Sequence, residues 1–333
     1  MRKRITIVSP ALAKDNNGNW QTASRWAAFL DTRHTASIVG HWQAGDAVPD
    51  LLIALHARRA AAALAAFRQQ WPALPAVLVL TGTDLYRDIL IDASAQAALE
   101  QATRLVLLQP AGLDLLPLRL RHKAQVIYQS APSLAPLPAV GAGRDIIMIG
   151  HLRAEKDPAT FMAAASMVTA ADVAMVHVGG ALEPVLGRLA ERTMREQPHY
   201  RWLGNLPHDQ TRELLRRSHA MVIASRMEGG ANVIIEALTS GVPVLASDIS
   251  GNRGMLGDDY DGYFALGDAA ALAALIDRCV LDAAFIQRLH AQCAARAALF
   301  APEREQAALL QLVDNLCDPA QTSVAQHPPL DPP

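Results

Sequence analysis

The sequence predicts an α/β protein of two doubly wound domains, each a parallel sheet flanked by helices. Short, uninterrupted apolar runs bounded by polar turns recur along the chain, as in strands buried on both faces. Between them lie Ala- and Leu-rich segments with apolar residues at helical spacing, so strand and helix alternate. At 333 residues and 51% hydrophobic content, the chain can bury two cores rather than one.

One stretch shows the unit most clearly. Ala220–Ala224 and Val242–Ala246 read as buried strands, and Val233, Ile234, Ala237 and Leu238 recur at helical spacing between them. Asn232 is placed to cap that helix and Gly241 to end it. The loop before it carries Glu228, Gly229, Gly230 and Ala231. The glycines let a ligand approach the backbone, and the unbonded N–H groups of a helix start attract phosphate. Glu236 falls about one turn into the helix, so it and Glu228 sit near the phosphate-binding end. A carboxylate accepts two hydrogen bonds from vicinal hydroxyls, which suits a sugar or ribose beside a diphosphate. A solvent-facing Glu on an ordinary loop is the plainer alternative.

This stretch resembles the E-x7-E signature of nucleotide-sugar glycosyltransferases of the retaining group called family 4. The resemblance implies a GT-B fold, with two Rossmann-like domains facing across a cleft and closing to exclude water. It implies that Glu228 faces the transferred sugar and Glu236 holds the ribose hydroxyls of the nucleotide. The following G-V-P-V, residues 241–244, fits the superfamily but says little about the acceptor.

Composition narrows the partners. A net charge of −2 calls for neither nucleic acid nor an anionic membrane. Cys279, Cys293 and Cys317 are far apart and form no C-x-x-C pair, as in reduced thiols of a cytoplasmic protein. The basic start, Met1–Arg4, precedes a short apolar run broken by Pro10, which reads as a first strand rather than a signal peptide. No run reaches the length of a transmembrane helix.

The first domain is expected over residues 1–138. Its strands are Ile5–Ser9, Ser37–Trp42, Leu51–Leu55, Ala76–Leu80, Leu105–Leu108 and Val126–Tyr128, with an Ala-rich helix over Ala60–Phe67. Gly18 suits a tight turn after the first strand and Asn19 a helix cap. Lys14 and Arg25 could neutralise an anionic acceptor or be solvated charges. His56, Arg58 and Arg59 follow the third strand, where they can bind an anion or point to water. Thr81-Gly82-Thr83-Asp84 follows Ala76–Leu80, and Thr83 and Arg87 are candidates for phosphate oxygens. Many family-4 enzymes have H-G-x-D there; Thr81 replaces the His, so a role for that side chain does not carry over. The Pro-rich run 130–138 reads as a semi-rigid linker.

The donor domain is expected over 139–301, with strands at Asp145–Ile149, Val173–Val178 and Tyr200–Leu203. Gly150-His151-Leu152-Arg153, then Lys156, resembles the family's G-R-L-x-x-x-K, whose Arg and Lys grip the diphosphate. His151 stands for that Arg, so Lys156, helped by Arg153, must carry more of the charge. Gly179-Gly180 reads as accessible backbone at a sheet edge. The turn Gly204-Asn205-Leu206 implies, by resemblance, backbone contacts to a uracil. Residues 247–254 read as a polar Gly-rich loop, and the D-x-D at Asp259–Asp261 as a solvated acidic turn. No metal or other cofactor is expected. Residues 269–298 read as one Ala-rich helix. A last helix over 302–317 crosses back to the first domain by resemblance, and the tail 318–333 is expected to be disordered.

A narrower resemblance spans nearly the whole chain. The segments at Asn16–Ala23, Ala54–Arg59, Thr81–Asp88, Gly150–Pro158 and Glu228–Val233 are similar to those of the selenosugar synthases of selenoneine biosynthesis. It implies transfer from UDP-N-acetylglucosamine or UDP-glucose to selenophosphate, forming a carbon–selenium bond. The sites it implies are catalytic Lys156 and Glu228 and a donor set of Gly150, His151, Arg153, Asn205, Leu206, Gly229, Gly230, Ala231, Asn232 and Glu236. The acceptor set is Gly18, Asn19, His56, Arg58, Arg59, Thr81, Gly82, Thr83 and Arg87. A hexosyltransferase acting on a lipid or polysaccharide hydroxyl, a sugar-nucleotide epimerase and a non-catalytic nucleotide-sugar binding module remain alternatives.

Overall fold

The computed structural model describes residues 1–13, 18–139 and 144–318. Lys14 and the tail beyond Asp318 therefore lie outside the described residues. The chain separates into two units, one of residues 1–128 with the final helix from Glu303, the other of residues 129–302.

The first unit is a parallel sheet in the order β2-β1-β3-β4-β5-β6. Its strands are β1 (Arg4–Val8), β2 (Thr35–Val39), β3 (Leu51–Leu55), β4 (Ala76–Leu80), β5 (Arg104–Leu107) and β6 (Ala124–Val126). Its early helices are α1 (Gly18–Asp31), α2 (Ala61–Gln70), the single turn α3 (Ile89–Ile91) and α4 (Ala93–Gln101). Every residue of β3 and β4 is buried, and successive side chains serve opposite cores. Leu52, Leu78 and Leu80 pack with Phe67 and Leu99; Leu51, Ile53 and Val79 pack with Trp26 and Leu30.

That second core also takes Leu309, Leu312 and Val313 from α12 (Pro302–Cys317), the last helix of the chain. Glu305 on α12 is buried and accepts from Trp26 Nε1 at 2.7 Å and Arg25 Nε at 2.7 Å. A buried carboxylate needs partners of this kind. Arg25 thus carries a charge that serves the packing of α12.

The second unit is also parallel, in the order β12-β11-β10-β7-β8-β9. Its strands are β7 (Arg144–Ile149), β8 (Val173–Val178), β9 (Tyr200–Trp202), β10 (Ala220–Ile223), β11 (Val244–Ser247) and β12 (Tyr263–Phe264). The helices are α5 (Pro158–Ala164), α6 (Pro184–Glu196), α7 (His208–Arg217), α8 (Asn232–Leu238), α9 (Ser250–Leu256), α10 (Ala269–Leu281) and α11 (Ala283–Ala297). The Pro-rich run is extended along this unit, bonding through Leu134 N to Thr239 O and through Leu137 N to Arg216 O. In both sheets the strand order reverses once, between β1 and β3 and between β7 and β10, and such points open a crevice at the strands' C-terminal ends.

Several local readings change. Residues 250–256 are helical, where a polar loop was expected. The single helix over 269–298 is two, broken at Asp282, whose carboxylate caps α11 by accepting from Ala284 N and Phe285 N. Ala231 rather than Asn232 holds the cap position of α8, and Asn232 is its first helical residue. Asn19 likewise lies inside α1, which starts at Gly18. Thr81–Asp88 is not a plain loop: Asp84–Asp88 forms a wide π-type turn that runs into α3.

Candidate active site

In the second unit the site is assembled at the crevice between β7 and β10. After β7 the chain turns through Gly150 and His151 into a short helical turn, Ala154–Lys156. After β10 it runs through Arg226 and Glu228 into α8. Three bonds join these two loops: Arg226 N donates to Glu155 O at 2.9 Å, Arg226 pairs with Asp157 at 3.0 Å, and Lys156 Nζ donates to Glu228 Oε1 at 2.5 Å. The side chains of Lys156 and Glu228 are only 20% and 10% exposed, so their charges meet in a partly dry setting. The Lys156 stem lies against Gly150, 3.6 Å from where a Cβ would stand.

Two glycines explain the tight fit. Gly251 of α9 packs on Glu228, and a Cβ there would run into the Glu228 carbonyl oxygen. Gly179 has φ +151°, and its Cβ would collide with the Gly150 carbonyl. The Gly179-Gly180 pair is therefore where two loops touch. Gly180 N donates to His151 Nδ1 at 3.1 Å, and Asn205 lies against Gly180. Burial, then the nearby Arg153 and Lys156, push His151 below its usual pKa. A neutral His151 adds no charge for a diphosphate. Beneath the loop, buried His177 bonds the Tyr200 hydroxyl at 3.0 Å and the Gly150 carbonyl at 3.3 Å, fixing the glycine from below.

Gly229, Gly230 and Ala231 lead directly into α8, and Glu236 follows one turn in, with a side chain 13% exposed. His208 at the start of α7 meets it at 2.7 Å. This hydrogen bond raises the His208 pKa against the cost of burial. Leu206 lies two residues before α7, on the same connection.

In the first unit a second cluster gathers at the ends of β3 and β4. Asp84, fully buried, accepts from Ala57 N at 2.8 Å, Gly82 N at 2.8 Å and Thr81 N at 3.0 Å, binding the two loops together. Asp88 is buried as well, and receives Arg58 Nε at 2.9 Å and Arg87 Nε at 3.0 Å. Burial opposes its charge, but the two arginines hold its carboxyl below the usual range. His56, at φ +75°, places Nε2 3.1 Å from Thr83 Oγ1 and 3.9 Å from Asp88 Oδ2. A non-glycine residue in that backbone region is strained, as residues at ligand sites often are. His56, Arg58, Thr83 and Arg87 are thus brought together, Arg59 joins through its backbone, and Thr81 and Gly82 through Asp84. Gly18 and Asn19 form the first turn of α1, on the connection after β1.

Reasoning from sequence missed Asp88, His208, Asp157 and Arg226. Asp88 had one visible sign: it closes a motif that already contains Arg87 and Asp84. Among the described residues, no three His, Cys, Asp or Glu side chains converge to hold a metal ion. Of the D-x-D, Tyr260 is buried and bonds Val244, while Asp261 pairs at the surface with Arg288.

Residues 135–298 match the family described as Glycosyl transferases group 1. A Xenopus tropicalis relative, "Glycosyltransferase 1 domain-containing protein 1", is 30% identical over 118 residues, 35% of this chain and 34% of that protein. The chain thus matches about a third of that relative's length. Among solved structures, sucrose-phosphate synthase of Thermosynechococcus elongatus superposes with a TM-score of 0.76 at 18% identity, covering 95% of this chain and 99% of that one. Anabaena HepE, solved in complex with UDP-glucose, gives a TM-score of 0.76 at 15% identity over 94% and 100%. A glycosyltransferase of Rickettsia africae gives 0.74 at 16% over 95% and 99%. Residues 135–298 thus resemble the group 1 glycosyltransferases, and the chain as a whole has the two-domain α/β GT-B fold of the solved structures.

Proposed function

We propose that the chain transfers a sugar from a UDP-sugar, UDP-N-acetylglucosamine or UDP-glucose, to selenophosphate, making a C–Se bonded selenosugar for selenoneine biosynthesis. The donor half of this reading rests on the Lys156–Glu228 pair at the β7/β10 crevice, inside the matched domain. It agrees with the UDP-glucose and UDP held by Anabaena HepE. Glu236 takes the ribose hydroxyls, and the Asn205–Leu206 backbone takes the uracil. Gly229–Asn232 and Lys156 meet the diphosphate, Lys156 exchanging Glu228 for a phosphate oxygen. Lys156, rather than a metal, supplies the charge that stabilises the leaving group.

The acceptor half rests on the Arg58–Asp88–Arg87 cluster with Thr83, which offers basic and hydroxyl donors suited to a small multiply charged oxyanion. Selenium attacks the anomeric carbon as its bond to the diphosphate oxygen breaks, and UDP departs with that bonding pair. The nucleophile is already ionised, so no side chain has to remove a proton. The cytoplasm is the compartment this reading takes for the reaction, in keeping with three free cysteines.

The test is UDP release from both UDP-sugars, with and without selenophosphate, with products identified by mass. Release that depends on selenophosphate, together with a selenium-bearing sugar, supports the reading. UDP-sugar binding without such release refutes it, and transfer to an added hydroxyl compound would make the chain an ordinary hexosyltransferase.

A further inference from the structure

In the first unit the groups facing solvent and the groups holding them are different residues. The side chains of Arg58 and Arg87 are 42% and 43% exposed, while those of Asp88 and His56 are 4% and 3% exposed. A bound anion can reach Arg58 and Thr83, which is half-buried, but hardly the two residues beneath them.

Hydrogen-bond roles follow from the neighbours of His56. Arg59 N donates to His56 Nδ1 at 3.3 Å, so that nitrogen is the acceptor and the proton sits on Nε2. Burial keeps the ring neutral, against Asp84 and Asp88, which favour charge, and with Arg59 and Arg58, which oppose it. Nε2–H then donates to Thr83 Oγ1. The hydroxyl oxygen is used as an acceptor, and its own hydrogen must find another partner. Beside it, Asp88 engages both arginines through Nε, one on each carboxylate oxygen. A carboxylate gripping a guanidinium at Nε fixes the plane in which the remaining N–H groups are presented.

The geometry points to Asp88 and His56 as positioning residues of a tetrahedral-oxyanion subsite. Asp88 orients the guanidinium of Arg58, and His56 turns the hydroxyl hydrogen of Thr83 toward the bound oxyanion. The inference deepens the acceptor reading above and rests on it. At its φ of +75°, His56 has both ring nitrogens engaged, Nδ1 by the Arg59 N–H and Nε2 by Thr83 Oγ1.

The test uses the full chain and inorganic phosphate as the probe, with binding measured by calorimetry and UDP binding measured in parallel. Wild type should bind phosphate. Asp88→Asn should weaken phosphate about tenfold, the effect of disordering a charge-assisted contact, while leaving UDP affinity unchanged. His56→Asn tolerates the positive φ but lacks a donor at the Nε2 position, and should weaken phosphate several-fold. His56→Gln restores a donor there and should recover part of the loss. With selenophosphate as substrate, both weakening variants should raise its KM more than they lower kcat. If Asp88→Asn does not fold, Thr83→Val, at a half-buried position, must still weaken phosphate. Wild-type binding that all four variants retain unchanged overturns the positioning roles and leaves the oxyanion acceptor standing. No phosphate binding by folded wild type overturns both.

Discussion

Lys156 and Glu228 neutralise each other in a setting drier than the surface, and each is the other's main charged partner. Removing the lysine therefore acts twice. On the proposed function it takes a cation from the leaving diphosphate, and it leaves Glu228 shielded without its counter-charge. Lys156→Ala should lower kcat by ~10²-fold or more, the usual cost of one such donor. Steady-state UDP release measures it, and full activity would remove Lys156 from the mechanism. The role proposed for Glu236 is different, because a ribose contact is present in ground state and transition state alike. Glu236→Ala should raise the KM of the UDP-sugar about tenfold with little change in kcat, as expected for a lost hydrogen bond to a charged group. His208 would lose its partner at the same time, so its pKa should fall, which the NMR titration of its ring reports. A KM that does not move would place Glu236 outside the nucleotide site.

The elements around Glu228 depend on one another through close contact. Gly251 is the point at which α9 rests on the Glu228 backbone, and an added methyl has no room against that carbonyl. Gly251→Ala should displace the Glu228 loop and cost about 1–3 kcal/mol, in line with overpacking in other cores. Activity should fall further than that loss of stability explains, since the displaced loop carries Glu228. Urea unfolding beside kcat/KM separates the two effects. The same glycine shows where reading the sequence stopped. Ser250–Leu256 contains two glycines and an asparagine and looks like a loop; it is helical because Asn252 is buried and donates to Ser247 O at 2.9 Å, and because Gly251 must pass Glu228. By contrast β3 and β4 were legible to the residue, since burial on both faces demands uninterrupted apolar runs, and so was β8 despite His177 within it. β12, with two residues, has no period to read. The placement of Glu228, Glu236 and Lys156 on their loops and helix was legible because their spacing lies within single strand–loop–helix units. Asp88 and His208 were not, because what they do depends on side chains brought by other elements.

At the scale of the whole chain, each unit's stability should respond to pH through its buried histidines, and the second unit offers the clearer case. His177 is fully buried on β8, with its Nδ1 on the Tyr200 hydroxyl and its Nε2 on the Gly150 carbonyl. Burial pushes its pKa down to about 4. In the unfolded chain it titrates near the usual ~6.5, so the unfolded state takes up a proton that the folded state refuses. Its contribution is therefore fully present above pH 6.5 and declines as pH falls toward 4. The loss reaches on the order of 3 kcal/mol once the pH is below about 4. His208 works in the opposite sense: its pKa is raised by Glu236, so its pairing supports the fold at low pH and fades as pH rises through its folded value. Urea midpoints measured from pH 8 to 4 should fall steeply below 6.5. His177→Gln removes the titrating ring, and should flatten that acid slope even though it lowers stability at pH 8 by breaking the bonds to Tyr200 and Gly150. Because the ring also holds Gly150, the variant should bind the proposed UDP-sugar donor more weakly at every pH, which would tie acid sensitivity and donor binding to one buried side chain. An acid slope identical in the variant and the wild type would assign the pH response to other groups.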